Sequence, residues 1–258
     1  MQISQLVRYP LKSSKGENLE RAELDALGIK GDRRLILCEP DGRFITARSE
    51  PKLLQLEVQP ELDGWRASHP SLGSTYINQE SSLNGEVEVW GRRITAPRLA
   101  GSEHWFSQLL GRKVKVLWNR EAADLADKRY PWGPIFSDGY PLLVCNTASL
   151  AAINQATGGM FEMSRFRPNL VIDTALPWAE DEWELLQIGE VLLRRRKPCE
   201  RCVLITRDPQ TGDKDPNQEP LRTLAKLHRG PNREVLFGQN FSVERAGQIS
   251  VGDEVQLA

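Results

Sequence analysis

Glu190-Val-Leu-Leu-Arg-Arg-Arg-Lys-Pro-Cys-Glu-Arg-Cys-Val-Leu-Ile205 is the stretch on which the reading of this chain turns. An apolar strand enters, and Pro198, which has no amide hydrogen to donate, is expected to end its pairing. Cys199 and Cys202 then fall on the turn, and β-branched Val203 and Ile205 begin a strand that leaves, predicted over Val203 to Arg207. Both thiols are thereby expected at the mouth of a sheet. Arg194, Arg195, Arg196, Lys197 and Arg201 surround them, and cations of this kind shift a thiol toward the thiolate that reacts and binds metal.

A Cys-x-x-Cys pair taken alone is ambiguous. Tetrahedral zinc needs two further ligands, and the only histidines, His69, His104 and His228, have no paired ligand spacing. A thioredoxin-like dithiol opens a helix after a strand, whereas a strand is predicted here. The plainest account is one buried cysteine beside a solvated basic strand face.

Working outward, short strands are predicted at Ile3 to Tyr9, Arg34 to Cys38, Arg43 to Thr46, Leu53 to Val58, Glu86 to Trp90 and Arg92 to Ala96, with turns at Asp41-Gly42 and Gly91. A helix is read from Ser102 to Leu110, with Ser102 accepting from the Trp105 amide and Gly111 as the stop. The polar run Asn119 to Tyr130 and Pro131-Trp132-Gly133-Pro134 mark a boundary, giving domains of 1–120 and 121–258. Beyond it come a buried strand, Pro141 to Cys145, and a helix capped by Asn146-Thr147 and closed by Gly158. Strands follow at Asn169 to Asp173, Glu190 to Arg195, Val235 to Phe237 and Glu254 to Leu257, with a helix near Pro220 to His228. Many short strands with few helices favour a barrel or sandwich over a parallel sheet.

Lysine and arginine number 34 against 35 aspartates and glutamates, a formal net charge of -1, so no global attraction to nucleic acid or membrane is expected. The start, MQISQLVRYPLKSSKG, lacks a charged region followed by a long apolar run, and four cysteines are too few for a disulfide-stapled scaffold of 258 residues. A cytoplasmic location with reduced thiols is the expectation.

Two further clusters offer phosphate-binding chemistry. Tyr9-Pro-Leu-Lys-Ser-Ser-Lys-Gly16 breaks a strand at Pro10 and presents lysine and hydroxyls, without the glycine spacing of a nucleotide P-loop. Arg165-Phe-Arg-Pro-Asn169 leads into the apolar strand Leu170-Val-Ile172, which can anchor a planar guanidinium and an amide in fixed geometry.

Taken in order, Tyr9 to Gly16, Gly31-Asp-Arg33, Thr46-Ala-Arg48, Phe166-Arg-Pro-Asn169, Pro198-Cys-Glu-Arg-Cys202 and Phe237-Gly-Gln-Asn-Phe241 closely resemble MOSC proteins with an N-terminal β-barrel extension. Among these the likeness is to YcbX-like bacterial proteins and the mitochondrial amidoxime-reducing components. It runs from the first strand to Ile249-Ser-Val-Gly-Asp-Glu-Val-Gln-Leu257. The resemblance implies a mainly β (α+β) fold, a MOSC-type β-barrel packed with a smaller N-terminal β-barrel-like domain and a few peripheral helices. It also implies a molybdopterin-type molybdenum cofactor with Cys202 as metal ligand and catalytic residue. Lys12 and Ser13, Arg33, Arg167, Asn169 and Arg201 match its cofactor-binding residues, and no ligand role falls to Cys199.

The implied activity is reduction of small N-hydroxylated compounds by a molybdenum-dependent oxidoreductase. Cys38 and Cys145 are too scattered to build an iron-sulfur loop, so electrons are expected from a separate carrier of ferredoxin or flavoprotein type. Glu200 departs from the small polar residue common in relatives, and a carboxylate beside an anionic cofactor is unfavourable unless Arg201 or Arg196 neutralises it. The alternatives are a sulfur-transfer protein, with a persulfide on Cys202 or Cys199, and a non-enzymatic cofactor carrier.

Overall fold

The computed structural model describes residues 1–119 and 136–258. The boundary read at Asn119 to Pro134 therefore lies, beyond Asn119 itself, outside the described residues. Among those described, strands dominate and three α-helices occur, Glu103–Leu110, Thr147–Thr157 and Leu221–Leu227, so the fold is mainly β as expected.

Eight strands form the principal sheet, in the order Gln256–Leu257, Leu185–Ile188, Val191–Glu200, Leu236–Arg245, Leu142–Asn146, Leu170–Asp173, Gln2–Arg8 and Glu17–Leu19. Every pairing is antiparallel except that of Leu142–Asn146 with Leu170–Asp173, which are joined through helix Thr147–Thr157 as a parallel pair requires. That helix begins where the sequence places it: the Asn146 side chain accepts from the Ala148 amide at 3.0 Å and Gly158 closes it at φ 66°.

Leu186, Leu193, Phe241, Val144, Leu170 and Leu6 come from six strands spread across this sheet, yet all are buried in one cluster with Ala22, Leu24 and Ile249. A flat sheet could not bring its second and seventh strands onto one core, so the sheet is rolled on itself, as in a barrel. The amino-terminal residues Ile3, Leu6, Ala22, Leu24 and Ile29 belong to this core. Residues between Leu35 and Trp118 build smaller sheets over two other clusters, one centred on Leu35, Leu37, Leu53 and Phe106, the other on Ile36, Val87 and Leu117.

Several local readings change. Pairing does not stop at Pro198: strand Val191–Glu200 runs through it, with bulges on either side of Lys197-Pro198 and the Asn240 side chain donating from Nδ2 to the Pro198 carbonyl at 3.2 Å. The bulges accommodate the missing donor. Val203–Thr206 is a short 3-10 turn, not a strand, because Ile205 buries in the Phe166 and Phe237 cluster and tertiary packing outweighs the β preference of Val203 and Ile205. Pro51–Gln55 is likewise 3-10. Ser102 caps nothing with its side chain; its hydroxyl donates to the Leu99 carbonyl instead.

One clasp holds segment Ala179–Glu182 against the carboxy-terminal strands. His228 places Nε2 2.6 Å from Asp181 Oδ2 and Nδ1 3.0 Å from the Leu236 carbonyl oxygen, with its ring stacked on Trp178 at 4.4 Å. The hydrogen bond to Asp181 raises the His228 pKa above its ordinary value, against the opposing effect of burial. Protonation therefore favours the folded state: the contribution is complete below about pH 6.5 and disappears as pH climbs through the higher folded value. The Tm of wild type should fall relative to that of His228→Gln as pH rises from about 6.5 through the raised folded value; parallel Tm curves for the two proteins would show the clasp to be inert.

Candidate functional site

Three loops and one strand end meet beside the rolled sheet. Strand Gln2–Arg8 ends at Tyr9, whose amide donates to Asp32 Oδ1 at 2.7 Å, while the Arg33 amide donates to the Tyr9 carbonyl at 2.7 Å. These two bonds lock Gly31-Asp-Arg33 onto Tyr9-Pro-Leu-Lys12. The Lys12 amide donates to the Leu35 carbonyl at 2.8 Å, and its ammonium group is buried against the Phe136 carbonyl at 2.9 Å and Asp138 Oδ1 at 2.5 Å.

Asn169 joins the pieces. Its Oδ1 accepts from Arg33 Nη1 at 3.1 Å and from the Leu143 amide at 3.2 Å, and its Nδ2 donates to the Val7 carbonyl at 3.2 Å. Arg33 also pairs with Asp32. Arg167 donates to the Ser14 carbonyl at 2.7 Å, and the guanidinium carbons of Arg167 and Arg33 lie 4.3 and 4.6 Å from the centre of the buried Tyr9 ring. Contacts of this kind gain from desolvation. Burial also raises Tyr9 to about 12, so its hydroxyl stays protonated at neutral pH.

Ser13, Arg33 and Arg167 all have left-handed backbones, at φ 74°, 47° and 58°. Such a conformation costs a non-glycine residue on the order of 1–2 kcal/mol, and strain of this kind gathers at functional sites. The three residues were singled out on sequence grounds alone, and no local signal announces their strain.

The cysteines arrive from the other side. Cys202 is exposed and Cys199 half-buried. Arg201 points inward, donating from Nη1 to the Cys199 sulfur at 3.0 Å and from Nη2 to the Phe166 carbonyl at 2.8 Å. Burial works against its charge, but the sulfurs of Cys199, Cys145 and Cys202 leave its pKa raised. Cys145 is fully enclosed, and burial pushes its thiol well up, which makes it inert.

A cavity of about 140 Å³ is lined by all seven of the residues proposed from the sequence, Lys12, Ser13, Arg33, Arg167, Asn169, Arg201 and Cys202. Cys199, Arg48, Asp138 and Glu200 also line it. A larger cavity, about 560 Å³, lies behind Tyr9 and Arg167 but contains neither cysteine. Sequence reasoning gave no role to Asp138, which follows a polar run and carries no motif, nor to Arg48, although its Thr46-Ala-Arg48 motif was noted.

Five cations line the smaller cavity, Lys12, Arg33, Arg48, Arg167 and Arg201, against the carboxylates Asp138 and Glu200. Neither Arg167 nor Arg201 has an ion-pair partner among the described residues, and the Arg201 Nε is buried without a hydrogen-bond acceptor. Burial lowers Arg167 to about 10, with Arg33 adding to the effect. A buried guanidinium without a carboxylate partner is stabilised in its charged form by any anion that reaches it.

Family models match both halves of the chain: residues 1–113 as a MOSC N-terminal beta barrel domain and residues 134–256 as a MOSC domain. At 31% identity, 98% of the chain aligns with 82% of mitochondrial amidoxime reducing component 2 from Macaca fascicularis. This chain belongs to the MOSC family. A second relative, mitochondrial amidoxime-reducing component 1 from Homo sapiens, is 32% identical over 99% of the chain and 82% of its own length. The YUAD protein from Bacillus subtilis superposes with a TM-score of 0.44 at 11% identity, covering 98% of this chain and 93% of that one.

In this MOSC chain the Asn169 side chain is the joint between strands and loop, so Asn169→Ala strands the Leu143 amide and the Val7 carbonyl. A loss of about 1–3 kcal/mol in denaturant unfolding is expected. A loss below about 0.5 kcal/mol, the range of ordinary surface changes, would remove Asn169 from this role.

Proposed function

We propose that the chain is a molybdenum-cofactor-dependent reductase of N-hydroxylated compounds, with the Cys202 thiolate as the protein's ligand to the metal. The observation that carries this reading is an exposed sulfur on the rim of a cavity whose cations come from residues 12, 33, 48, 167 and 201 and lack enough carboxylates to balance them. A phosphorylated dithiolene is the kind of anion such a receptor fits, and a soft thiolate suits the metal. The names of the relatives, amidoxime-reducing components, supply the substrate class.

Lys12, Ser13 and Arg33 would hold the phosphate, with the Lys12 ammonium exchanging its contact to Asp138 for the ligand. Burial lowers the Lys12 pKa while Asp138 raises it, so an incoming phosphate takes over the part Asp138 plays in keeping the group charged. Arg167 and Asn169 would face the heterocycle, with the Arg167 guanidinium held over the Tyr9 ring. Arg201 fixes the strand end that presents Cys202 and ties it to the Phe166 carbonyl, so the sulfur is delivered from a rigid support. When bound, the cofactor supplies two-electron chemistry at an oxygen atom. Overall, the N–O bond of the substrate breaks, two electrons and two protons are taken up, and the oxygen leaves as water. The electrons come from a separate redox protein.

Cys199 is half-buried and engaged by Arg201, which leaves Cys202 as the accessible sulfur for the metal. Full-length protein produced in a host that makes the cofactor should carry molybdenum and pterin in equal amounts and reduce a hydroxylamine with an artificial donor. Cys202→Ala should unfold at the wild-type denaturant concentration and lose molybdenum-dependent turnover by at least about a hundredfold. Full turnover in that variant would sink the assignment.

A further inference from the structure

The charge of the cavity reverses between its floor and its mouth. Lys12 and Arg33 on the floor are 6% and 13% exposed, while the Glu200 side chain at the mouth is 60% exposed. Glu200 ends strand Val191–Glu200, lines the same cavity and stands two positions before Cys202.

Its two obvious neutralisers are occupied elsewhere. Arg201 is turned inward onto the Cys199 sulfur and the Phe166 carbonyl. Arg196 donates to Ser242 and pairs with Glu244 at 2.5 Å. Among the described residues only Lys197 pairs with Glu200, at 3.5 Å, and that ammonium is itself half in solvent, where a pair of this kind contributes little. Asp138, the other carboxylate of the cavity, is held by Lys12 and by the Trp90 indole N–H. Glu200 is thus the one lining carboxylate whose charge no buried cation or indole takes up among the described residues.

We propose that Glu200 is a specificity-determining residue that selects cationic substrates, N-hydroxyguanidinium and hydroxylamines bearing a positive group, over neutral ones. This rests on the reductase reading above. A carboxylate at the mouth of a basic cavity attracts a cation to the outer end of the site and orients its neutral N–OH group toward Cys202. The anionic cofactor occupies the inner cations. The same charge holds the product as its amidinium cation, because an amidine is a far stronger base than the amidoxime from which it forms.

The test uses the full chain loaded with cofactor and two isosteric hydroxylamines, one carrying a trimethylammonium group and the other a neutral tert-butyl group. Wild type should favour the cationic probe in kcat/KM. That preference should drop about fivefold in Glu200→Gln and reverse in Glu200→Lys, and salt should weaken it in wild type but leave it unchanged in Glu200→Gln. Calorimetry of benzamidine, a cationic product analogue, should show a similar weakening of Kd in Glu200→Gln and needs no turnover. An unchanged kcat/KM ratio together with an unchanged benzamidine Kd overturns the selection role. Reduction of neither hydroxylamine by wild type overturns the reductase reading, while the benzamidine comparison still decides whether Glu200 receives cations.

Discussion

The carboxamide of Asn169 is the contact on which the site depends. One side chain accepts from Arg33 and the Leu143 amide and donates to the Val7 carbonyl. It therefore fixes the distance between the first strand of the chain, a central strand of the sheet and the loop that carries Arg33. A buried carboxamide with both ends satisfied has one orientation, and the cations inherit their positions from it. Arg33 could not lie against Tyr9 if Asn169 and Asp32 did not hold its guanidinium.

Around that joint the protein concentrates charge that it does not balance internally. Tyr9 lies within reach of two guanidinium groups, and Arg167 and Arg201 have no carboxylate partner among the described residues. Three left-handed non-glycine residues add strain at the same place. The large apolar cores on either side offset this local instability. A stable scaffold carrying a poorly balanced cationic pocket is what anion binding calls for, because a ligand then supplies the missing charge.

How much was legible in the sequence differs from element to element. Helix Thr147–Thr157 was readable at both ends because its signals are local: Asn146 caps one end and Gly158 takes the left-handed turn at the other. Strand Val191–Glu200 was readable as a strand, but its passage through Pro198 was not, since a bulge depends on the partner strand Leu236–Arg245. Val203 and Ile205 misled for a related reason. Their β-branched side chains prefer a strand, but burial of Ile205 against Phe166 and Phe237 curls the backbone instead. The residues proposed for the site were readable as ordered motifs, whereas Asp138 gained its meaning only from what surrounds it, and the sequence left open which cation Glu200 would meet.

The sequence by itself determined the class of fold, the position of the two thiols at the end of a strand and the identity of four of the five cations that line the cavity, because strand patterning, caps and motif order are properties of neighbouring residues. Only the tertiary structure decided that residues 12, 33, 167 and 202 share one cavity, that Arg201 turns inward, and that Lys197 is the ion-pair partner of Glu200 among the described residues. Those outcomes depend on which side chains reach a given guanidinium or carboxylate in space, and sequence separation carries no information about that once a sheet rolls up and brings its distant strands together.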